Sequence, residues 1–299
     1  MDRRRFLLAA AATPLAIRAH AARAPVALVT CDAESRLSVV DLRAFRIVAS
    51  IATPPDPRSI ETVGDLAVVC HTAAGALSVV DRTGVRHVLR GLAEPRYTAA
   101  HPDGVHAFVT DSGRSGVVLV DVRRGAILGR VRLPGWARHI TIAPGGRRLW
   151  VGLGSASAHV AVLETAPLRH VGELTPGFPA HDVGAAPDGR LWITSGSERV
   201  LSVEGARHVA DLAPQHVTFG RGLAFVTSGD SGTLHVLRAD GSAVARTAVP
   251  PGSYNVQHAR GLVVTPSLSR GTLAILDTRG RSLATLHVSG SCHDACVLD

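Results

Sequence analysis

Two short elements recur together seven times between residues 27 and 277, and this recurrence constrains the fold more than any other feature. The first is a β-rich run ending on threonine or a replacement for it: Ala27-Leu28-Val29-Thr30, Ala67-Val68-Val69-Cys70, Ala107-Phe108-Val109-Thr110, Leu149-Trp150-Val151-Gly152, Leu191-Trp192-Ile193-Thr194, Ala224-Phe225-Val226-Thr227 and Leu262-Val263-Val264-Thr265. Their last positions are spaced 40, 40, 42, 42, 33 and 38 residues apart. About ten residues after each comes the second element: Val40-Asp41, Val80-Asp81, Val120-Asp121, Leu163-Glu164, Val203-Glu204, Leu237-Arg238 and Leu276-Asp277. Gly152 and Cys70 depart from threonine, and Arg238 departs from the acid.

Pro102-Asp103-Gly104, Pro144-Gly145-Gly146 and Pro187-Asp188-Gly189 are turn signals between strands. Each unit reads as strand, tight turn, strand, loop, strand, turn, strand. No stretch beyond the N-terminal region has helical periodicity. Four short strands in about forty residues is the arithmetic of a β-propeller blade. The tail Cys292-His293-Asp294-Ala295-Cys296-Val297-Leu298 aligns with Pro95-Arg96-Tyr97-Thr98-Ala99, a first strand, whereas the chain from Val26 begins as a second strand. The expected fold is all-β: a seven-bladed propeller of four-stranded antiparallel blades over residues 22–299. The C-terminal strand joins the first blade and removes a free edge.

The Phe-Val-Thr-Asp, Trp-Ile-Thr-Ser and Phe-Val-Thr-Ser segments at 108–111, 192–195 and 225–228, each followed by its Val-Asp-like pair, resemble the YVTN-repeat β-propeller family. The resemblance covers essentially the whole chain after residue 21. It implies an exported or surface propeller and no particular activity. Architectural relatives range from lactonases and a quinone amine dehydrogenase subunit to haem d1 proteins and a copper-cluster reductase, so function must come from the site.

The first residues carry an address. Asp2-Arg3-Arg4-Arg5-Phe6-Leu7-Leu8 leads an apolar run to Ile17, followed by Ala19-His20-Ala21, a small-x-small cleavage site. The run is shorter than the roughly 20 residues a membrane span needs. It resembles a bacterial twin-arginine signal peptide over residues 1–21; a general secretory signal with a basic start is the alternative. Either predicts a periplasmic or secreted chain, monomeric and without a membrane span.

The formal charge of +8 comes from 32 basic residues, all of them Arg, and falls to +5 once residues 1–21 are removed. With no basic block and few aromatics, neither a phosphate-tracking stripe nor a base-stacking platform is expected, which argues against nucleic acid as a partner. Gly-rich phosphate loops, Gly-x-Ser-x-Gly elbows, His-Glu-x-x-His and Cys-x-x-Cys-His are all missing from the sequence. No catalytic residue is assigned, and whether the chain is an enzyme stays open.

The innermost strands of a propeller line its channel, and their first residues ring one mouth. Aligning those starts gives Arg58, Arg96, Arg138, His181, Gln215, Tyr254 and His293; the next position gives Ser59, Tyr97, His139, Asp182, His216, Asn255 and Asp294. Arg58, Arg96 and Arg138, with Tyr97 and Tyr254, form an arc suited to an anionic ligand or a protein partner, since guanidinium forks bind carboxylate and phosphate at two points. The plainer reading has each arginine paired with a neighbouring acid. His139, His181, His216 and His293 form a second arc of the ligand type that suits a transition metal, with Asp182 and Asp294 able to orient a ring; solvated or backbone-bonded histidines are the plainer reading here. The sequence thus supports an exported binding protein or scaffold. The alternative is a redox or accessory protein holding a metal or a tetrapyrrole at the histidines.

Export permits disulfides. Cys31 and Cys292 are expected to approach one another in the closing blade, where a bridge would staple the two chain ends. Two buried thiols, or a Cys/His site with His71 and His293, are the other readings. Cys70 and Cys296 lie in apolar runs and behave as small core residues.

Overall fold

The structure is a computed structural model that describes residues 24–210 and 212–299. The leader expected at residues 1–21 lies outside the described residues. Seven four-stranded antiparallel sheets follow one another around a ring. Their innermost strands, in blade order, are Ala295–Leu298, Pro57–Val63, Pro95–Ala100, Ile140–Ile142, Val183–Ala185, Val217–Gly220 and Gln257–Ala259. The first blade is closed by the C-terminal strand, with Val26 opposite Leu298 and Val29 opposite Ala295. Among the described residues no helix is long and apolar enough to cross a membrane.

The recurring apolar runs are the second strands, which have a blade on each side. In Val26–Cys31, alternate side chains therefore serve two cores. Ala27, Val29 and Cys31 pack with Val264, Leu273 and Ile275 of the last blade, whereas Val26 and Leu28 pack with Ile60, Ala67 and Val69 of the second. A strand buried on both faces has no polar alternation, which is why these runs read as continuous valine, leucine and alanine.

In three blades the terminal threonine of the repeat ties one blade to the next, whereas Thr110 and Thr265 bond the Tyr97 and Asn255 carbonyls of their own blades. Thr30 Oγ1 donates to the Arg58 carbonyl at 3.1 Å, and the Thr194 and Thr227 hydroxyls donate to the carbonyls of Gln215 and Tyr254. All three acceptors are first-position residues of the next innermost strand, so this hydroxyl sets where the mouth residues stand. Cys70 occupies the same place with its sulfur 3.6 Å from Thr98 Oγ1 of the third blade. Gly152 has no side chain to offer, and a Cβ built there would meet only the His181 carbonyl oxygen at 3.7 Å, with Gly154 and His139 oxygens slightly further away.

The second element ends the third strand and caps the hairpin to the fourth. Asp41 Oδ1 accepts from the amides of Arg43 and Ala44 at 2.8 and 2.9 Å, and Asp277 Oδ1 accepts from Arg279 and Arg281 at 2.9 Å each. Aspartate fixes a turn this way because its short carboxylate reaches amides two to four residues on. Where Arg238 replaces the acid, Asp240 does the capping by accepting from the Ser242 amide at 2.9 Å.

Candidate functional site

The innermost strands begin at one mouth and converge on a channel cavity of about 200 Å³. Ser59, Tyr97, His139, Asp182, His216, Asn255 and Asp294 all line it, one from each blade. Because strand side chains alternate, the residue before each of these stays at the rim, and the residue two places further on returns to the channel. That rule also places Glu61 and Gln257 on the wall, where Gln257 Nε2 donates to Glu61 Oε2 at 3.3 Å. The alignment of strand starts stopped two positions short of this pair.

Three of the four histidines meet. One ligating nitrogen from each of His139, His181 and His216 falls within 4.8 Å of the others. The His139 ring centroid lies 4.7 Å from those of both His181 and His216, which are 5.3 Å from one another. Two of the rings are oriented by groups behind them. The Ser155 carbonyl sits 3.0 Å from His181 Nδ1, and Asp182 Oδ2 sits 3.5 Å from His216 Nδ1. Asp182 is itself fixed, accepting the amides of Val183 at 2.8 Å and Val217 at 3.1 Å. Both rings are thus set to keep Nδ1 protonated and present a bare Nε2.

His139 differs from them. It is 1% exposed, and neither ring nitrogen has a hydrogen-bond partner of good geometry, although the His181 carbonyl lies near enough to favour the protonated ring slightly. That carbonyl is the one the missing threonine at Gly152 would have engaged. Tyr97 covers the ring at a centroid distance of 4.1 Å. Burial, then His181 and His216, hold His139 well below the usual imidazole range, and burial followed by His216 pushes His181 down to about 4. Two of the three rings are therefore neutral at pH 7 and need release no proton to bind a cation.

His293 stands apart from this group. Asn255 Nδ2 donates to its carbonyl at 2.7 Å and lies 3.4 Å from its Nδ1, while burial and then the Arg58 charge push it down to about 3. Across the channel from the histidines are two enclosed carboxyls. Glu61 borders the channel space yet is surrounded by protein, and burial raises it to about 7. Asp294, raised further for the same reason, accepts the amides of Ile60 and Ala295 at 3.1 and 2.8 Å.

The arginine arc is unequal. Arg58 has Asp56 at 3.8 Å and Arg96 has Glu94 at 3.0 Å. Arg138 has no carboxylate partner among the described residues, and its Nε is buried and unpartnered. Trp136, which the sequence reading did not single out, lies under both Arg96 and Arg138, with guanidinium carbons 4.8 and 5.4 Å from its ring. Its place two residues before Arg138 was the available signal. Tyr254 is outside the cavity, donating from its hydroxyl to Asp230 at 2.7 Å.

Cys31 and Cys292 are hydrogen-bonded neighbours with free thiols. The Cys292 contact, the Ser38 hydroxyl 3.4 Å away and the charge of Arg36 make Cys31 the easier of the two to ionise. His71 is held elsewhere, 2.8 Å from Ser78 Oγ and 3.1 Å from the Pro55 carbonyl. The structure therefore does not assemble a Cys/His ligand set from these residues.

Fold and site together define a seven-bladed propeller with a histidine-lined channel. No family model and no curated protein matches the sequence. Solved structures do match in shape. A functionally unknown protein from Desulfotomaculum acetoxidans has 13% identity over 91% of this chain and 98% of its own, with a TM-score of 0.79. Apo AztD from Citrobacter koseri has 12% identity over 92% and 98%, with a TM-score of 0.68. Hydrazine synthase from Kuenenia stuttgartiensis has 14% identity over 80% and 88%, with a TM-score of 0.66. At such identities the fold alone is shared.

Proposed function

We propose that this chain is an exported binding propeller of the YVTN-repeat type that acts as a monomer and holds one first-row transition-metal ion in its channel on His139, His181 and His216. The observation that carries the reading is the buried His139 ring with both nitrogens unpartnered, beside two rings that present a bare nitrogen. Leaving a buried polar group unsatisfied costs about 1–3 kcal/mol, a cost that ligation would remove. Neutral imidazoles suit zinc, copper, nickel and iron. Three of them leave a fourth position open, as in sites that exchange a ligand. On a tetrahedral ion with bonds of about 2.0–2.1 Å, the nitrogens stand about 3.3 Å apart, so the rings need to draw in by roughly an ångström.

The cavity favours an ion over a larger group. At about 200 Å³, the channel space beside His139 and His216 lies below the roughly 300–1,000 Å³ of small-molecule pockets. The arginines support anion recognition more weakly, since Arg58 and Arg96 already face carboxylates. The leader at residues 1–21 supplies the export half of the reading.

Titration with Co²⁺, followed by its visible spectrum, tests the site. One equivalent is expected to give intense tetrahedral-type bands, lost in His139→Ala, His181→Ala and His216→Ala and kept in His293→Ala. Bands of equal strength in the three single variants would refute the assignment. N-terminal sequencing of the chain from a periplasmic extract, with Arg3→Lys/Arg4→Lys as control, tests export.

A further inference from the structure

Charge balance at the three histidines points to a second ligand. Neutral imidazoles leave a divalent ion with its full charge in an enclosed site, where unpaired charge is costly. The carboxylates of the channel wall are committed, Glu61 among them, which accepts from the Thr62 amide at 2.9 Å and from Gln257 at 3.3 Å. Asp182 accepts two amides and stands behind His216, and Asp294 accepts two amides from within a buried wall. The mouth adds positive charge instead of removing it. Arg138 directly precedes His139 in the chain, its charge reaches His139, His181 and His293, and its guanidinium lies beside the Tyr97 hydroxyl. Its Nε is buried without a partner, as is that of Arg96, but unlike Arg58 and Arg96 it has no carboxylate among the described residues. Trp136 holds one face of the guanidinium, 5.4 Å from its carbon, and so fixes the direction of the fork.

Resting on the metal reading above, we infer that the site takes its ion together with a small oxyanion, a carboxylate or carbonate, which occupies the open metal position and is clamped by Arg138. A lone arginine next to a cation site weakens that site; with a shared anion between them, each cation strengthens the binding of the other. The planar fork is matched to the two oxygens of a carboxylate. The ligand recognised is then a metal–carboxylate pair, and the ion is bound more tightly when such an anion is present.

The test uses the full chain and the Co²⁺ spectrum, with acetate and bicarbonate as probes and perchlorate as the inert anion. In the unaltered protein, acetate or bicarbonate is expected to shift the cobalt bands saturably and to tighten Co²⁺ binding. In Arg138→Met, which keeps the stem over Trp136 and has its folding checked by circular dichroism, Co²⁺ still binds but anion affinity falls about tenfold or more. Arg96→Met, whose partner is Glu94, leaves the anion response in place. Cobalt bands that form fully and ignore both anions, or an anion affinity equal in Arg138→Met and the parent, overturn the anion clamp while leaving the metal site standing. Absence of cobalt binding with or without anion overturns both readings.

Discussion

Asp182 Oδ2 stands 3.5 Å from Nδ1 of His216, and the same carboxylate is pinned by the amides of Val183 and Val217. One side chain thereby joins the innermost strands of the fifth and sixth blades and orients a ring of the candidate metal site. Asp294 makes the equivalent pair of amide bonds between the first and second blades, where the next blade places Ser59 instead of histidine. Two of the seven blades thus share this bond to the next, and of the two aspartates it is Asp182 that also faces a histidine of the triad.

Removing that contact separates the two roles. Asp182→Asn is expected to lower Co²⁺ or Zn²⁺ affinity about 10–100-fold, as loss of a carboxylate behind a ligating histidine does. Asp294→Asn disturbs the same kind of strand junction and leaves metal affinity within about twofold of the parent. Competition with a chromophoric chelator measures both. Equal losses in the two variants would mean that Asp182 acts on the fold only.

Metal uptake and stability both depend on pH with a definite sign. Because His181 titrates at about 4 and His139 also lies well below 6.5, affinity is expected to stay nearly flat from pH 8 to about 6 and to collapse towards pH 4. A midpoint at the ordinary imidazole value would count against the buried site. For the apo protein, His71, His139, His181 and His293 have depressed values in the folded state and bind protons in the unfolded chain first. Their stabilisation is present above 6.5 and is lost as pH falls towards 4. Glu61 and Asp294 run in the opposite direction, since their raised values favour the folded state at low pH and this is lost as pH rises, through about 7 for Glu61. Four groups outweigh two, so Tm is expected to decline from pH 7 to pH 5 in a thermal scan.

Gly152 provides a test of the threonine tie. Gly152→Thr returns a hydroxyl within reach of the His181 carbonyl at a position whose nearest neighbours leave ordinary contact distances. A gain of about 0.5–1.5 kcal/mol over Gly152→Ala is expected, the alanine variant subtracting the effect of simply replacing glycine in a strand. Urea midpoints for the pair give the difference. A threonine variant less stable than the alanine variant would remove the hydroxyl from the account of blade packing.

Oxidation bears on the thiol pair. Treatment with oxidised glutathione is expected to link Cys31 to Cys292, two glutathione thiols forming as the protein loses two hydrogens. On the chain-entropy model a loop this long gains about 5 kcal/mol. Non-reducing peptide mapping identifies the link and Cys31→Ser abolishes it. Recovery of Cys31 only as a mixed disulfide with glutathione would show that the two sulfurs cannot reach bonding geometry.

How much of this was legible beforehand follows from what repeats. Thr30, Thr194 and Thr227 recur as the same tie in three blades, and Asp41, Asp81, Asp121 and Asp277 as the same cap in four hairpins. Period and register therefore located the fold and the wall of the channel. The site is made of exceptions, which a repeat does not announce. The alignment placed four histidines on one arc, but whether His293 turns towards His139 or towards Asn255 depends on side-chain packing between the first and seventh blades. The inequality of the arginines was legible but went unread: an acid and a proline precede Arg58 and Arg96 as Asp56-Pro57 and Glu94-Pro95, whereas Trp136-Ala137 precedes Arg138.

Closure by residues 292–298 also imposes an order in time. Thr30 and Asp294, joined by hydrogen bonds, are separated by 264 residues, so the Val26–Cys31 strand is made before the other six blades and its inner neighbour after them. Until then the first blade is bare on one flank and the channel is an open arc, with one wall position still unmade. Loss of the Ala295–Leu298 strand would leave the first blade unlatched and the channel unenclosed together.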